Sequence, residues 1–301
     1  MVKRAANVDP VAVAKTQAAN VMKSMQGDTI KSVGTARNYE QALSTVAQYA
    51  NSTFQCGLRE VTPQQAEQYL ADRSIEVGQK TLDMDRQALQ AMMQHVSGKL
   101  SPNEKLPTIK SEHSQHLNCR SYTTEQVSMI ANAQNERNGL STEIAHAAGL
   151  RAHELLTIAR INERPLSERP ALDEKFTARN NAVSYSVTGK GGLTREVQLP
   201  RHLSERLEDR RLETPINKTD RNVTYKNCRY DVAGGQAFST SFTRASNRTL
   251  GWSSGAHGLR HSYAQERMSE LQNNMTRNVA LEVVSQEMGH FRAEITEVYL
   301  R

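Results

Sequence analysis

The stretch "HGLRHSYA", residues 257–264, decides how this chain is read. It follows the glycine-rich "GWSSGA" (251–256) and opens a helix on which His257 and Arg260 stand one turn apart on a shared face, with Leu259 and Tyr263 packing on the other side. By itself His-x-x-Arg is most simply a solvated basic face. Three further stretches compete with that explanation. "GLRAHEL" (149–155) sets Arg151 and Glu154 on one helical face, ordinarily a surface ion pair of little worth. "VTGKGG" (187–192) puts Lys190 on a hairpin tip, and "MGHFRAEITEVYLR" (288–301) carries His290 and, nine positions later, Tyr299.

Composition narrows the setting. Lysine and arginine number 38 against 32 aspartates and glutamates, and the sequence pI of about 9.2 favours a polyanionic partner. Hydrophobic residues make up 37% and the mean hydropathy is −0.65, which suits thin domains with a broad wetted surface. Cys56, Cys119 and Cys228 are odd in number and far apart, fit neither a zinc spacing nor a disulfide framework, and so point to a reducing compartment. No apolar run suits a signal peptide or a membrane span, so a cytoplasmic protein is expected.

Residues 11–100 read as helices. In one, Tyr39, Leu43, Val46, Tyr49 and Ala50 form a buried stripe with Thr35 as a cap; in the next, Thr62 caps and Pro63 takes the first helical position. A third repeats the pattern with Leu82, Leu89, Met92, Met93 and Val96. From Gly98 to Tyr122 two prolines and weak periodicity indicate a linker. Helical patterns resume at Thr124 and run on through "TEIAHAAGLRAHELLTI", after which Val183, Tyr185 and Val187 alternate, Lys190, Gly191 and Gly192 turn, and Leu193, Val197 and Leu199 return as a hairpin. Helical patterns follow Pro200, broken by a polar segment from Thr214 to Gly235, and six lysines and arginines stand against two aspartates between Asn217 and Arg248. The expected architecture is a helical bundle over 1–105, a linker over 106–121 and a larger, mainly helical α+β domain with a small antiparallel sheet over 122–301.

Taken in order, the stretches supply Arg, Lys, His-x-x-Arg, His and Tyr through one domain. The set "GLR..EL", "TGKG", "HGLRHSYA" and "MGH" with a tyrosine nine later resembles the tyrosine recombinases of the lambda-integrase (phage integrase) family, and residues 33–96 are similar to that family's SAM-like core-binding domain. The resemblance implies a C-shaped clamp around duplex DNA. It implies cleavage and rejoining through a 3′-phosphotyrosyl link without metal or ATP, on paired inverted half-sites. The expected assembly is a homo-tetramer in the synapse and a monomer or dimer off DNA, with accessory bending or directionality factors, in the nucleoid of a bacterial cell.

The chemistry asks for the same residue types. Breaking a strand without hydrolysis needs a nucleophile that keeps the phosphate, and a tyrosine does this as a covalent catalyst, though its pKa of about 10 means that it needs help losing its proton. With no metal-ligand spacing in the sequence, the charge of the phosphodiester is expected to meet two guanidiniums, those of Arg151 and Arg260. Lys190 is the candidate general acid for the leaving 5′ oxygen. His257 is the proton acceptor or hydrogen-bond partner of the tyrosine, and His290 a donor to the phosphoryl group. Glu154 orients a catalytic side chain, and His261, at a position where the family often carries a histidine, is read as structural. No cofactor is expected.

For DNA contacts the candidates are Ser239, Arg244 and Asn247 in "FSTSFTRASNR" (238–248), with Thr35, Arg37, Asn38, Thr81 and Arg86 in the N-terminal part. The chain ends two residues after Tyr299, where many relatives continue into a helix that docks on a neighbour. Integration or excision of a mobile element is the preferred reading. The alternatives are Xer-like dimer resolution, relaxation of DNA by a type IB topoisomerase, and an accessory DNA-binding protein without catalysis.

Overall fold

The computed structural model describes residues 9–113 and 118–301. The chain forms two compact units, residues 1–116 and 117–301.

The first unit is helical. Helix α1 (Pro10–Met25) starts on Asp9, whose carboxylate accepts from the backbone N–H of Val11, with Pro10 at the position where its missing N–H costs nothing. Ala14, Ala18, Val21, Met22 and Met25 form its buried stripe. Helix α2 (Val33–Tyr49) is capped by Ser32, not by Thr35: the Ser32 hydroxyl accepts from the Thr35 N–H, so the helix begins nearly one turn earlier than the periodicity suggests. Thr62 and Gln65 close a reciprocal capping box on α3 (Pro63–Ser74). Helix α4 (Gln79–Met92) runs into a π-turn at Met93–Ser97.

Part of the expected linker belongs to this unit. Leu106 is buried in its core, Ile109 packs against that core, and the Ser111 hydroxyl donates to the Val77 carbonyl at 2.6 Å. Isolated apolar residues carry no periodicity, so a strap laid over a bundle reads as linker until its contacts are seen.

The second unit is mixed. Helices α5 (Thr124–Asn132) and α6 (Glu136–Ala147) are capped by Thr123 and Asn135, and the helical run expected through residue 158 stops at Ala147, ahead of Gly149 with φ +58°. A short 3₁₀ turn at Glu154–Thr157 leads into β1 (Ala159–Arg160), which pairs with β2 (Ala182–Thr188) and through it with β3 (Thr194–Pro200), all antiparallel. After α7 (Arg201–Glu208) come β4 (Arg211–Asp220) and β5 (Val223–Tyr230), and then α8 (Gly235–Leu250), α9 (Gly258–Leu271), α10 (Arg277–Met288) and α11 (Ala293–Glu297).

The β4–β5 hairpin corrects the reading of Thr214–Gly235 as a polar break. Its strands are largely exposed and their register slips between Ile216 and Lys218, so no clean alternation marks them. The overlooked signal was Arg221-Asn222, both at positive φ, which make the two-residue turn that a tight hairpin needs.

Candidate active site

Four loops and helix ends of the second unit place the chemistry. The first is the turn after α6. Gly149 holds φ +58°, and a Cβ there would lie 2.6 Å from the Tyr263 ring, so this position needs glycine both for its backbone conformation and for its closeness to α9. Two residues on, Arg151 Nη1 binds Glu154 Oε1 at 2.7 Å, and the Arg151 N–H donates to Glu154 Oε2 at 2.9 Å. Glu154 is fully buried, which a carboxylate tolerates only when well partnered. Arg195 Nη2 reaches its Oε2 at 2.9 Å, and Arg260 Nη1 stands 3.8 Å from the same oxygen. Burial works to raise the Glu154 pKa, but the guanidiniums of Arg195, Arg260 and Arg151 outweigh it and hold the carboxyl at about 2. One carboxylate among three guanidiniums leaves an excess of positive charge.

Arg260, on the first turn of α9, has no exposed surface. Its Nη1 donates to the Gly149 carbonyl, its Nη2 to the Met288 carbonyl at 3.1 Å and to His290 Nε2 at 2.9 Å. A guanidinium only donates, so His290 Nε2 holds the lone pair and its Nδ1 carries the proton, facing Thr296 Oγ1 at 3.0 Å. His290 therefore accepts at Nε2 in this arrangement and donates from Nδ1. The loop carrying it turns at Gly289, φ +74°, where a Cβ would fall 2.7 Å from Arg195 Cδ.

Tyr299 lies at the centre of this group and is only 9% exposed. Its ring centroid is 5.5 Å from that of His257, 4.8 Å from His261 and 5.0 Å from His290, and the Arg260 guanidinium carbon stands 5.5 Å from it. His261, read as structural, is thus the nearest of the three histidines to the tyrosine. His257 and Arg260 share a helix start so that both face one aromatic ring. Lys190 is not among these contacts; it is exposed on the turn between β2 and β3. The neighbouring Gly189 is close to the site, since a Cβ there would lie 3.2 Å from Glu154 Oε1.

Loss of solvent comes first in lowering the three histidines, and neighbouring cations add to it, Arg260 above all for His257 and His290 and Arg120 for His261. The pKa falls to about 4 for His257 and His261 and to about 3 for His290, so all three are neutral at neutral pH. These are bases depressed by folding, and between pH 6.5 and about 4 the unfolded chain binds protons that the native chain refuses. Stability is accordingly present above pH 6.5 and is lost as the pH falls through that window. Melting is expected to drop between pH 7.5 and pH 5, with the ring resonances of His261 and His290 not titrating near 6.5; resonances that do titrate there would show imidazoles open to solvent and refute the depression.

Four residues of the site escaped the sequence reading: Arg195, Thr296, Glu287 and Arg120. Arg195 had a signal. It shares the inward phase of β3 with Val197 and Leu199, and an arginine in the buried phase of a strand needs a carboxylate. Glu287 holds a separate buried pair with Arg267, Nη2 to Oε1 2.9 Å, and accepts from the Tyr263 hydroxyl at 2.8 Å.

The DNA-contact candidates fall on α8 of the second unit and on α2 and α4 of the first. Arg244 and Asn247 are exposed on α8, and the half-buried Ser239 donates its hydroxyl back to the Gly235 carbonyl at 3.1 Å. In the first unit Arg37, Asn38 and Thr81 are exposed and Thr35 is half-buried. Arg86 is drawn back towards Gln90 and the Leu106 carbonyl. Among the described residues no group of three His, Cys, Asp or Glu could hold a metal ion, and no helix is long and apolar enough to cross a membrane.

No protein-family model and no curated protein matches the sequence. Solved structures do. A lambda integrase dimer bound to a COC′ core site is 15% identical with a TM-score of 0.60, covering 95% of this chain and 94% of that one; a lambda integrase tetramer bound to a Holliday junction, also 15% identical, gives 0.57 over 94% and 76%. The Tn1549 transposon integrase in complex with transposon right end DNA is 12% identical (TM-score 0.57, 96% and 94%). The XerH site-specific recombinase bound to its difH substrate, in a pre-cleavage complex, is 16% identical (0.55, 97% and 93%). The chain has the tyrosine recombinase fold. Within that fold Arg151, His257, Arg260, His290 and Tyr299 gather around one buried carboxylate and one aromatic ring, and Lys190 stands at the edge.

Proposed function

We propose that this protein is a site-specific DNA recombinase that cuts and rejoins duplex DNA through a 3′-phosphotyrosyl intermediate. The observation that carries the reading is the Tyr299 ring held among three neutral histidines and the Arg260 guanidinium. The tyrosine oxygen attacks a backbone phosphorus, the bond to the 5′ oxygen breaks, and the link formed preserves the energy needed for religation. A non-bridging phosphate oxygen outcompetes the imidazole for the Arg260 Nη2 proton because it carries charge. Arg151, tethered by Glu154, takes the second oxygen. The lone pair of a neutral histidine accepts the tyrosine proton, with His257 first in line, and Lys190 brings a proton to the leaving oxygen.

Lys190→Met is expected to slow cleavage by about 10²- to 10⁴-fold, the usual range for a general acid. A substrate with sulfur in place of the leaving 5′ oxygen restores the rate, because a thiolate leaves without a proton. A deficit equal for both substrates removes Lys190 from this role.

On this reading the partner is DNA with paired inverted half-sites, bound by four protomers in the synapse, and Arg244, Asn247, Arg37, Asn38 and Thr81 are contacts to it. Integration or excision of a mobile element is the finer assignment, with accessory DNA-bending or directionality factors. The deciding experiment is a nicked duplex whose cleavage releases a short fragment and strands the protein on DNA. The expected result is an adduct that survives denaturant, with the DNA on Tyr299. Absence of any adduct on a library of inverted repeats overturns the proposal, and relaxation of any plasmid turns it towards a topoisomerase.

A further inference from the structure

Arg195 lies in the strand that returns from the Lys190 turn, paired opposite Val187, and it is 4% exposed. Its guanidinium joins two parts of the pocket. Nη2 binds Glu154 Oε2 at 2.9 Å, and Nη1 donates to the Glu287 carbonyl at 2.8 Å. Its methylene stem lies against the backbone of Gly289, the residue before His290. A single side chain therefore touches the carboxylate that tethers Arg151, the loop that carries His290 and, through its own strand, the hairpin that carries Lys190. Burying a guanidinium at this depth is costly unless its hydrogen bonds are met, and two of its nitrogens are met by the site itself.

We propose that Arg195 is a positioning residue for strand cleavage: it fixes Glu154 between the two clamp arginines and holds the His290 loop against the hairpin, without touching DNA. This rests on the recombinase reading above. Glu154 has two oxygens and three guanidiniums around it. With Arg195 on Oε2, Oε1 remains for the Arg151 side chain, and Arg151 points outward at 26% side-chain exposure where a phosphate can reach it. Without Arg195, Oε2 keeps only the Arg151 N–H and faces the buried Arg260 guanidinium 3.8 Å away, so the carboxylate is free to turn towards that charge, loosening the Arg151 side chain. Arginine's planar fork meets two acceptors set apart in space, whereas a lysine in its place is a point charge that can serve one of them.

The test uses the full chain and the nicked duplex, with DNA affinity and the single-turnover rate of adduct formation measured separately. Arg195→Met is expected to bind DNA as the natural chain does and to form adduct roughly 10- to 100-fold more slowly, the range seen when groups supporting metal ligands are removed. Arg195→Lys is expected to fall between the two. Combined with Glu154→Gln, Arg195→Met should add little further loss, since both act through one carboxylate. Where Arg195→Met fails to fold, Arg195→Lys carries the test: slower adduct formation at unchanged affinity and melting supports the proposal. A natural rate in whichever variant folds, or losses that multiply fully with Glu154→Gln, overturns it. A natural chain that forms no adduct overturns the recombinase reading itself, whereas adduct formation indifferent to residue 195 overturns only this inference.

Discussion

On the recombinase reading, a Tyr299→Phe protein is expected to bind DNA with the affinity of the natural chain and to leave no protein joined to the strand. The substitution isolates the chemistry because the ring belongs to the buried cluster that includes Val284 and Met288, with three imidazoles whose centroids lie within 5.5 Å of its own. Phenylalanine keeps that ring and removes one oxygen. The geometry built by His257, His261, His290 and Arg260 then persists without a nucleophile, and a water taking its place would give hydrolysed ends in place of an adduct. The expected loss is on the order of 10⁶-fold, as when other covalent catalysts lose their nucleophile. A gel resolving free, bound and covalently joined DNA reads all three states. An adduct of natural yield would assign the nucleophile elsewhere, and a loss of affinity equal to the loss of cleavage would make Tyr299 a contact residue and nothing more.

The parts of this molecule that the sequence announces are those governed by local rules. Caps at Thr62 and the alternation of Tyr185, Val187, Val197 and Leu199 follow from backbone geometry alone, and the structure repeats them. The order Arg151, Lys190, His257, Arg260, His290, Tyr299 is legible as chemistry, because each type answers a demand of phosphoryl transfer. What stays hidden depends on the third dimension. Arg195 acquires meaning only when β3 is laid against the turn at Glu154, and Thr296 only when α11 brings its hydroxyl to His290 Nδ1. The β4–β5 hairpin escapes because its strands are largely exposed, with burial confined to Cys228 and Tyr230 at the end of β5, so that burial imprints no sustained period on them. His261 reads as structural on the same ground: one turn after His257 it belongs to helix packing by spacing, and only the return of the C-terminal chain sets Tyr299 beside it.

Glu154→Gln is expected to cost both stability and cleavage, and the two losses have one origin. Glutamine keeps the shape but has one oxygen to offer where the carboxylate serves the Arg151 side chain on Oε1 and Arg195 and the Arg151 N–H on Oε2. Its amide nitrogen also turns a donor towards a guanidinium. Removing one partner from a fully buried ion pair costs about 3–5 kcal/mol, because the charge left behind has no water to replace it. Three guanidiniums lose their anion together, of which Arg195 and Arg260 are almost or wholly shielded from solvent. For a domain of this size such a loss lowers the melting temperature by roughly 10 °C. Below about pH 2 the natural chain reaches the same condition: a carboxyl depressed by folding contributes stability above its unfolded pKa near 4.5 and surrenders it as the pH falls towards its folded value of about 2. The cleavage loss follows because Arg151 is then repelled by its neighbours and held by no carboxylate. Melting curves and single-turnover adduct formation, recorded well below the melting point, separate the two effects. A Glu154→Gln protein that melts and cleaves as the natural chain does would show that the three arginines need no common anion, and that something other than Glu154 holds Arg151 in place for the phosphate.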